Sequence, residues 1–133
     1  MYVPFSRIRT VPISLLHLVS AYRETPFTLQ DARSEWRGNG GIVFGMHQDE
    51  CVGMMRLDAK RTYWTLSSFI ISPVWRGNGL GKAWLTQLDS IKNPIYLQVK
   101  QDNQSAYGLY TSQGFETETI SNGRYIMYKK EMH

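Results

Sequence analysis

The stretch that decides the fold lies at residues 73–82 and reads Pro73-Val-Trp-Arg-Gly-Asn-Gly-Leu-Gly-Lys82. Three glycines stand at alternate positions between a predicted strand, which Pro73 ends, and a predicted helix. Because glycine has no Cβ, the backbone amides of such a loop can approach a ligand closely. The N–H groups that open the following helix favour an anion, since the helix dipole is positive at that end. The stretch therefore predicts a loop that binds phosphate groups, with an ordinary glycine-rich turn as the alternative.

Two well-known phosphate-binding motifs do not fit this loop. A P-loop has glycine at the position of Arg76 and serine or threonine at that of Ala83. A dinucleotide-binding fingerprint has glycine at the position of Lys82. The pattern that does fit is Arg-x-x-Gly-x-Gly, with its fixed positions at Arg76, Gly79 and Gly81.

A second informative segment follows about twenty residues later. A predicted strand, Leu97-Gln-Val-Lys100, leads into Asn103-Gln-Ser-Ala106, then Leu109-Tyr110 and Gly114-Phe115. Together the two segments resemble the GNAT superfamily of acetyl-CoA-dependent N-acetyltransferases. That family combines Arg/Gln-x-x-Gly-x-Gly/Ala with a later strand, Asn-x-x-Ala-x-x-Leu-Tyr and Gly-Phe, in the same order.

The resemblance implies an N-acetyltransferase that uses acetyl-CoA as its cosubstrate and needs no metal. It implies that the loop amides hold the pyrophosphate and that the preceding strand pairs its backbone with the pantetheine arm. One N–H group of that strand would polarise the thioester carbonyl. The implied cofactor-binding residues are Phe69, Ile70, Ile71, Arg76, Gly77, Asn78, Gly79, Leu80, Gly81, Lys82 and Asn103. Asparagine is also a good helix N-cap, and Asn103 can fill both roles.

Tyr110 is the candidate catalytic residue, acting as a general acid. A phenol with a pKa near 10 is protonated at neutral pH and can donate to the leaving thiolate. The alternative is a core tyrosine, because Ala106 and Tyr110 share one helical face. Tyr107 is a weaker candidate for the acid.

The general base stays unassigned. The strand Leu97–Lys100 most closely resembles that of the ribosomal-protein alanine N-acetyltransferase branch, in which a glutamate is a proposed base; here the position is Gln98, an amide that cannot accept a proton. Asp58, Glu35 and Glu50 are possible bases but read better as solvated carboxylates. A water chain from a backbone carbonyl would serve equally.

The acceptor amine is expected near the first two helices, where related folds vary most. Acidic and aromatic side chains are mixed there: Tyr22, Glu24, Phe27, Asp31, Glu35 and Trp36. This mixture can attract a cationic amine, or the acids can simply balance nearby arginines on a surface helix. His17, His47 and His133 lack metal-ligand spacing, and Cys51 reads as a strand residue, so neither a metal site nor a thiol nucleophile is predicted.

Apolar periodicity predicts the other elements. Strands are predicted over residues 5–10, 42–47, 52–57, 63–71, 95–100, 115–120 and 124–130, with a turn at 48–51. Helices are predicted over 13–23, 28–36, 80–91 and 104–113, the second opened by a capping box at Thr28 and Asp31. The interleaving predicts the α/β class, and the resemblance implies the GNAT fold. That fold would have a mixed, mostly antiparallel central sheet of about six to seven strands, flanked by about four helices.

Composition bounds the class of protein. The 133 residues suit a single domain, expected to be one N-acetyltransferase domain over residues 1–133. No stretch approaches the roughly 20 apolar residues that cross a bilayer. The lone Cys51 excludes an internal disulfide and fits a reducing compartment, so a cytoplasmic domain without a membrane partner is expected.

The formal net charge of +4 lies in the second part of the chain. Residues 1–50 carry five basic and five acidic groups, and residues 51–133 carry ten basic and six acidic groups. Such an excess often accompanies an anionic partner, but taken alone it favours a solvated surface.

The expected function is acetyl transfer to a primary amine by direct attack in a ternary complex. A small-molecule amine is slightly favoured over a protein N-terminus or lysine, nucleic acid is not an expected partner, and a homodimer is compatible with the sequence. Two alternatives remain. One is a non-catalytic acetyl-CoA-binding regulatory module, suggested by Gln98; the other is an RNA-directed, toxin-type acetyltransferase, suggested only by the basic second part.

Overall fold

A computed structural model of the chain describes residues 1–130, within which it has seven strands and four α-helices. The strands are β1 (Tyr2–Pro4), β2 (Gly40–His47), β3 (Glu50–Ala59), β4 (Trp64–Ile71), β5 (Ile95–Lys100), β6 (Glu116–Ser121) and β7 (Arg124–Lys129). The α-helices are α1 (Ile13–Arg23), α2 (Leu29–Glu35), α3 (Leu80–Thr86) and α4 (Gln104–Ser112). Short 3-10 helices cover Phe5–Thr10, Pro73–Trp75 and Gln87–Ser90.

The strands form one mixed sheet in the order β1-β2-β3-β4-β5-β7-β6. The pairs β1–β2, β2–β3, β5–β7 and β6–β7 are antiparallel. β4 and β5 are parallel, with Trp64 opposite Ile95 and Thr65 opposite Tyr96. The α/β class and the mostly antiparallel mixed sheet of six to seven strands, flanked by about four helices, are therefore confirmed.

The chain divides into two compact units. The first comprises Met1–Ala59 and Ser67–Arg76, and the second comprises Lys60–Leu66 and the chain from Gly77 onward. β4 contributes its first residues to the second unit and its last residues to the first.

The core of the first unit includes the buried side of α1. Leu15, Leu16 and Val19 are buried, at the spacing that places apolar side chains on one side of a helix. Glu24 ends the helix in the left-handed conformation, with φ 57°. α2 begins with the predicted capping box, in which the Thr28 hydroxyl accepts from the Asp31 N–H and the Asp31 carboxylate accepts from the Thr28 N–H. Both predicted helices are confirmed.

The predicted strand over residues 5–10 is wrong, because this stretch forms a 3-10 helix. Its buried residues are Phe5 and Ile8, three positions apart. A 3-10 helix has three residues per turn, so this spacing buries both on one side. The apparent alternation of polar and apolar residues misled the prediction, and the first strand is the short β1 just before it.

The hairpin between β2 and β3 turns more tightly than predicted. Glu50 already belongs to β3, which leaves Gln48 and Asp49 as the turn. Gln48 adopts a φ of 55°, and two-residue hairpin turns need such positive values because they match the twist of the strands.

The second unit is built on the alternation of β5. Ile95, Leu97 and Val99 are buried, whereas the intervening residues of this strand point to the other face of the sheet. α4 packs on the buried face, where the ring of Tyr107 stacks on that of Tyr125 at 4.1 Å between centroids.

The predicted helix over residues 80–91 is α3 continued by the 3-10 helix Gln87–Ser90. Trp84 and Leu88 are buried, as its apolar stripe predicts. Within residues 1–130, no helix combines the length and the apolar character needed to cross a membrane.

The hairpin β6–β7 forms the C-terminal edge of the sheet. Its turn is Asn122-Gly123, with φ values of 52° and 74°. β6 is exposed along its whole length, and its pairing with β7 shifts register between Thr117 and Thr119.

Candidate active site

The glycine loop opens α3 in the second unit. Gly77 and Gly79 have φ values of 83° and 74°, a region that side chains rarely adopt. A Cβ added at either position would meet no protein atom within 4 Å. The backbone therefore requires glycine for its conformation, and the space beside it is open to a ligand.

The first turn of α3 supplies hydrogen-bond donors. Its first intrahelical bond runs from the N–H of Ala83 to the carbonyl of Gly79, at 3.0 Å. The N–H groups of Leu80, Gly81 and Lys82 come before that bond and have no acceptor inside the helix. Such groups, with the positive end of the helix dipole, suit a phosphate oxygen. Asn78 lies in the same loop and is exposed.

Arg76 and the end of β4 belong to the first unit. The Arg76 Nε–H donates to the carbonyl of Ile71 at 3.0 Å, which anchors the loop to the end of the strand. In the strand itself Ile70 is buried, and Phe69 and Ile71 are half-buried.

β4 is irregular at Ser68, three residues before its end at Ile71. Ser68 has a φ of 53°, which is rare for a residue with a side chain and interrupts the extended backbone just before Phe69–Ile71. Sequence reasoning missed this feature, because serine carries no preference that would signal it.

Asn103 is the N-cap of α4. Its Oδ1 accepts from the N–H of Ala106 at 3.2 Å, so the capping role expected as an alternative is present. The Nδ2 group of the same side chain carries two N–H donors, and Asn103 is exposed.

The two tyrosines of α4 have different surroundings. Tyr110 is buried, with 9% of its surface exposed, and its ring meets that of Phe115 edge-on at 5.8 Å. Tyr107 stacks on Tyr125, and its hydroxyl is 3.0 Å from that of Thr117. The hydroxyl of Tyr107 is thus engaged in a structural hydrogen bond.

The acidic residues near the first two helices are held by neighbours of the first unit. Glu35 accepts two hydrogen bonds from Arg23, at 2.7 and 2.6 Å, and lies 3.9 Å from Arg56. These contacts with Arg23 lower the pKa of the Glu35 carboxyl. The backbone N–H and then the hydroxyl of Thr28 lower the pKa of the Asp31 carboxyl.

Two of the aromatic residues near the first two helices are part of the core. Phe27 and Trp36 are buried and pack together, with ring centroids 5.2 Å apart, whereas Tyr22 and Glu24 are exposed. Of the two sequence readings, charge balance on a surface helix is therefore favoured over attraction of a cationic amine.

No carboxylate of the described residues stands out as the general base. The expectation of a solvated carboxylate is wrong for Asp58, which is buried and ion-paired with Arg56, whose Nε lies 2.9 Å from its carboxylate. Glu50 is exposed at the start of β3, and Gln98 is exposed on β5. Arg56 contacts both Glu35 and Asp58, and it was not singled out from the sequence because Glu35 is distant in the chain and lies on another element.

The histidines and Cys51 were also considered from the sequence. No group of three or more metal-ligating side chains occurs within residues 1–130, and His133 lies outside them. His47 packs beside Trp75, with ring centroids 5.1 Å apart. Cys51 is buried, and this burial raises the pKa of its thiol.

The model of the family described as the acetyltransferase (GNAT) family matches residues 13–115. With the mixed sheet and the glycine loop, this match defines an acyltransferase. The chain belongs to the acetyltransferase (GNAT) family. A search of curated proteins found no match.

Solved structures share the fold. The Escherichia coli ribosomal-protein-S18-alanine N-acetyltransferase is 17% identical with a TM-score of 0.74, and the match covers 100% of this chain and 96% of that chain. The PaiA N-acetyltransferase of Thermoplasma acidophilum, solved in complex with coenzyme A, is 16% identical with a TM-score of 0.70, over 98% of each chain. A Pyrococcus horikoshii protein is 24% identical with a TM-score of 0.59; the match covers 66% of this chain and 63% of that one.

Proposed function

We propose that the protein transfers an acetyl group from acetyl-CoA to a primary amine. The observation that carries this proposal is the loop of Gly77 and Gly79, whose positive φ values and open surroundings leave three helix-opening N–H groups available to a pyrophosphate. The complex of the Thermoplasma acidophilum relative with coenzyme A supports the choice of cosubstrate.

The remaining binding residues have separate tasks. Lys82 adds a positive charge at the first turn of α3, and Asn78 adds an exposed side-chain amide in the loop. Asn103 keeps its Oδ1 on the cap of α4 and presents Nδ2 as a donor to coenzyme A. The backbone of Phe69–Ile71 pairs with the pantetheine arm, and one of its N–H groups polarises the thioester carbonyl.

The transfer step is a direct attack. The neutral amine attacks the thioester carbonyl, so that a C–N bond forms and the C–S bond breaks. The amine loses one proton to water, and the departing thiolate gains one from the Tyr110 hydroxyl. A phenol suits this task because it stays protonated at neutral pH.

The acceptor is a primary amine, and a small molecule is slightly favoured over a protein. The Escherichia coli neighbour acts, by its name, on an alanine of a ribosomal protein. Gln98 cannot take a proton from an amine, so that substrate is not carried over to this chain.

The experiment that tests this function measures thiol release from acetyl-CoA with a panel of amines. The panel holds polyamines, aminoglycosides, amino acids, and peptides with a free N-terminus or lysine. We expect turnover on one group, and a kcat lowered about 10²- to 10⁴-fold by Tyr110→Phe with coenzyme A binding retained.

Tyr107→Phe is the matched control, because it removes the same atom three residues away on the same helix. It loses the contact with Thr117, costs about 1 kcal/mol of stability and leaves kcat unchanged. Binding without turnover on any amine would favour a non-catalytic acetyl-CoA-binding module. A parent protein that fails to bind coenzyme A would overturn the proposal.

A further inference from the structure

The second unit leaves one face of β5 and β7 uncovered. The antiparallel register sets Tyr96 opposite Tyr128, Gln98 opposite Ile126, and Lys100 opposite Arg124. These six side chains point away from the buried face that holds Leu97 and Met127. Each is half-buried or exposed, and we call this surface the outer face.

Tyrosine rings occupy one end of the outer face. The rings of Tyr96 and Tyr128 stack at 5.8 Å with an interplanar angle of 25°. Tyr63, just before β4, meets Tyr96 edge-on at 5.3 Å and is 38% exposed. Aromatic rings on neighbouring strands of an uncovered sheet are platforms on which unpaired bases stack.

A basic pair occupies the other end of the outer face. Like charges directly opposite each other on neighbouring strands destabilise a sheet. Lys100 and Arg124 are nevertheless opposite each other, and no carboxylate within residues 1–130 forms an ion pair with either. An anionic ligand would relieve this repulsion.

Charged groups of both signs lie near the aromatic end of the outer face. The register places the carboxylate of Glu116 opposite Tyr128. Tyr128 is four residues, about 13 Å, along β7 from Arg124. The exposed turn residues Lys60 and Arg61 precede Tyr63. Basic groups therefore occur at both ends of the tyrosine cluster.

The length and charge of the outer face indicate which class of ligand fits it. Tyr96 and Lys100 are four residues apart on β5, about 13 Å, which exceeds the reach of a small anion but suits a chain of several nucleotides. Thr65, opposite Tyr96, and Gln98 add polar groups that can bond 2′-hydroxyls.

We propose that the outer face binds single-stranded RNA, with bases stacked on the tyrosines and phosphates bonded to Lys100 and Arg124. The overall charge of the chain gives no reason to expect nucleic acid, whereas the register of β5 and β7 does. This binding does not depend on acetyl transfer.

Fluorescence anisotropy of the full chain with a labelled oligouridine of about 12 nucleotides tests the proposal. Binding should weaken from about 50 to about 200 mM salt, and Lys100→Ala with Arg124→Ala should reduce the slope of log affinity against log salt by about 1.4. Arg33→Ala with Arg37→Ala, which removes two exposed charges of the first unit, should leave the slope unchanged.

Tyr96→Leu with Tyr128→Leu should weaken RNA binding about fivefold or more, since stacking is lost. The thermal midpoint of each variant shows whether it folds. If the double tyrosine variant does not fold, the salt dependence of Lys100→Ala with Arg124→Ala decides the test. The proposal is overturned if the parent does not bind at about 50 mM salt, or if the charge pair behaves as its control. It is also overturned if oligothymidine binds as tightly as oligouridine. A chain that does not bind RNA, and whose self-association is lost in the double variant Tyr96→Leu with Tyr128→Leu, would overturn it too.

Discussion

A comparison of the variants Gly79→Ala and Gly123→Ala separates the cost of backbone strain from the loss of ligand binding. Both glycines have a φ of 74°, and at both a Cβ would meet nothing within 4 Å. Alanine in this region costs about 1 to 2 kcal/mol, and no steric cost is added at either position. The two variants should therefore lose the same stability.

Their effects on coenzyme A should differ. In the proposed binding mode, a Cβ on Gly79 would stand where the pyrophosphate approaches, and a shift of the loop would remove at least one hydrogen bond to a charged group. Such a bond is worth about 1.5 to 3 kcal/mol, which lowers affinity about 10- to 150-fold. Gly123 lies at the tip of the β6–β7 hairpin, so its variant should bind as the parent does.

Urea unfolding and isothermal titration with coenzyme A measure the two quantities. The free energy of unfolding of each variant should be about 1 to 2 kcal/mol below that of the parent. Equal affinities for coenzyme A in the two variants would refute the role given to the loop. Stability losses that differ by more than about 1 kcal/mol would refute the strain argument, which assigns both glycines the same cost.

Three further predictions concern the first unit. Because Arg23 lowers the folded pKa of Glu35, this carboxylate stabilises the fold above its unfolded pKa of about 4.3 and loses that contribution as pH falls through the lower folded value. The pair is partly exposed, so Glu35→Gln should cost under about 1 kcal/mol at pH 7 and nothing at about pH 2, by urea unfolding; an equal cost at both pH values would contradict this linkage. Gly40→Ala should cost about 3 kcal/mol or more, because its Cβ would overlap the Leu57 carbonyl and force β2 from β3; a loss below about 1 kcal/mol would show that the strands yield easily. Cys51 should react with a thiol reagent only after unfolding, since burial shields it and raises its pKa; rapid labelling of the native chain would contradict its burial.

Local signals allowed much of the architecture to be predicted. The bounds of α1 and β5 match the prediction, because each carries a clear apolar period. The capping box of α2 was visible as Thr28 and Asp31, since capping depends on residues three apart.

The features that were missed depend on tertiary contacts. The 3-10 helix over Phe5–Thr10 is set by the burial of two side chains, which a six-residue alternation cannot reveal. The positive φ of Ser68 could not be read from the sequence, because residues with a side chain rarely adopt it. The ion pair of Glu35 with Arg56 joins residues that are 21 positions apart, so only the folded chain shows that this acid is neutralised.

The exposed edge strand β6 bears on how the protein behaves at high concentration. Open strand edges invite pairing with other chains, which leads to aggregation. The register shift between Thr117 and Thr119 breaks the regular ladder of this edge, and Glu116 and Glu118 place negative charge along it. A strand that approaches β6 meets an irregular, charged border, so the edge resists the fibre-like stacking that a flat, neutral strand would permit.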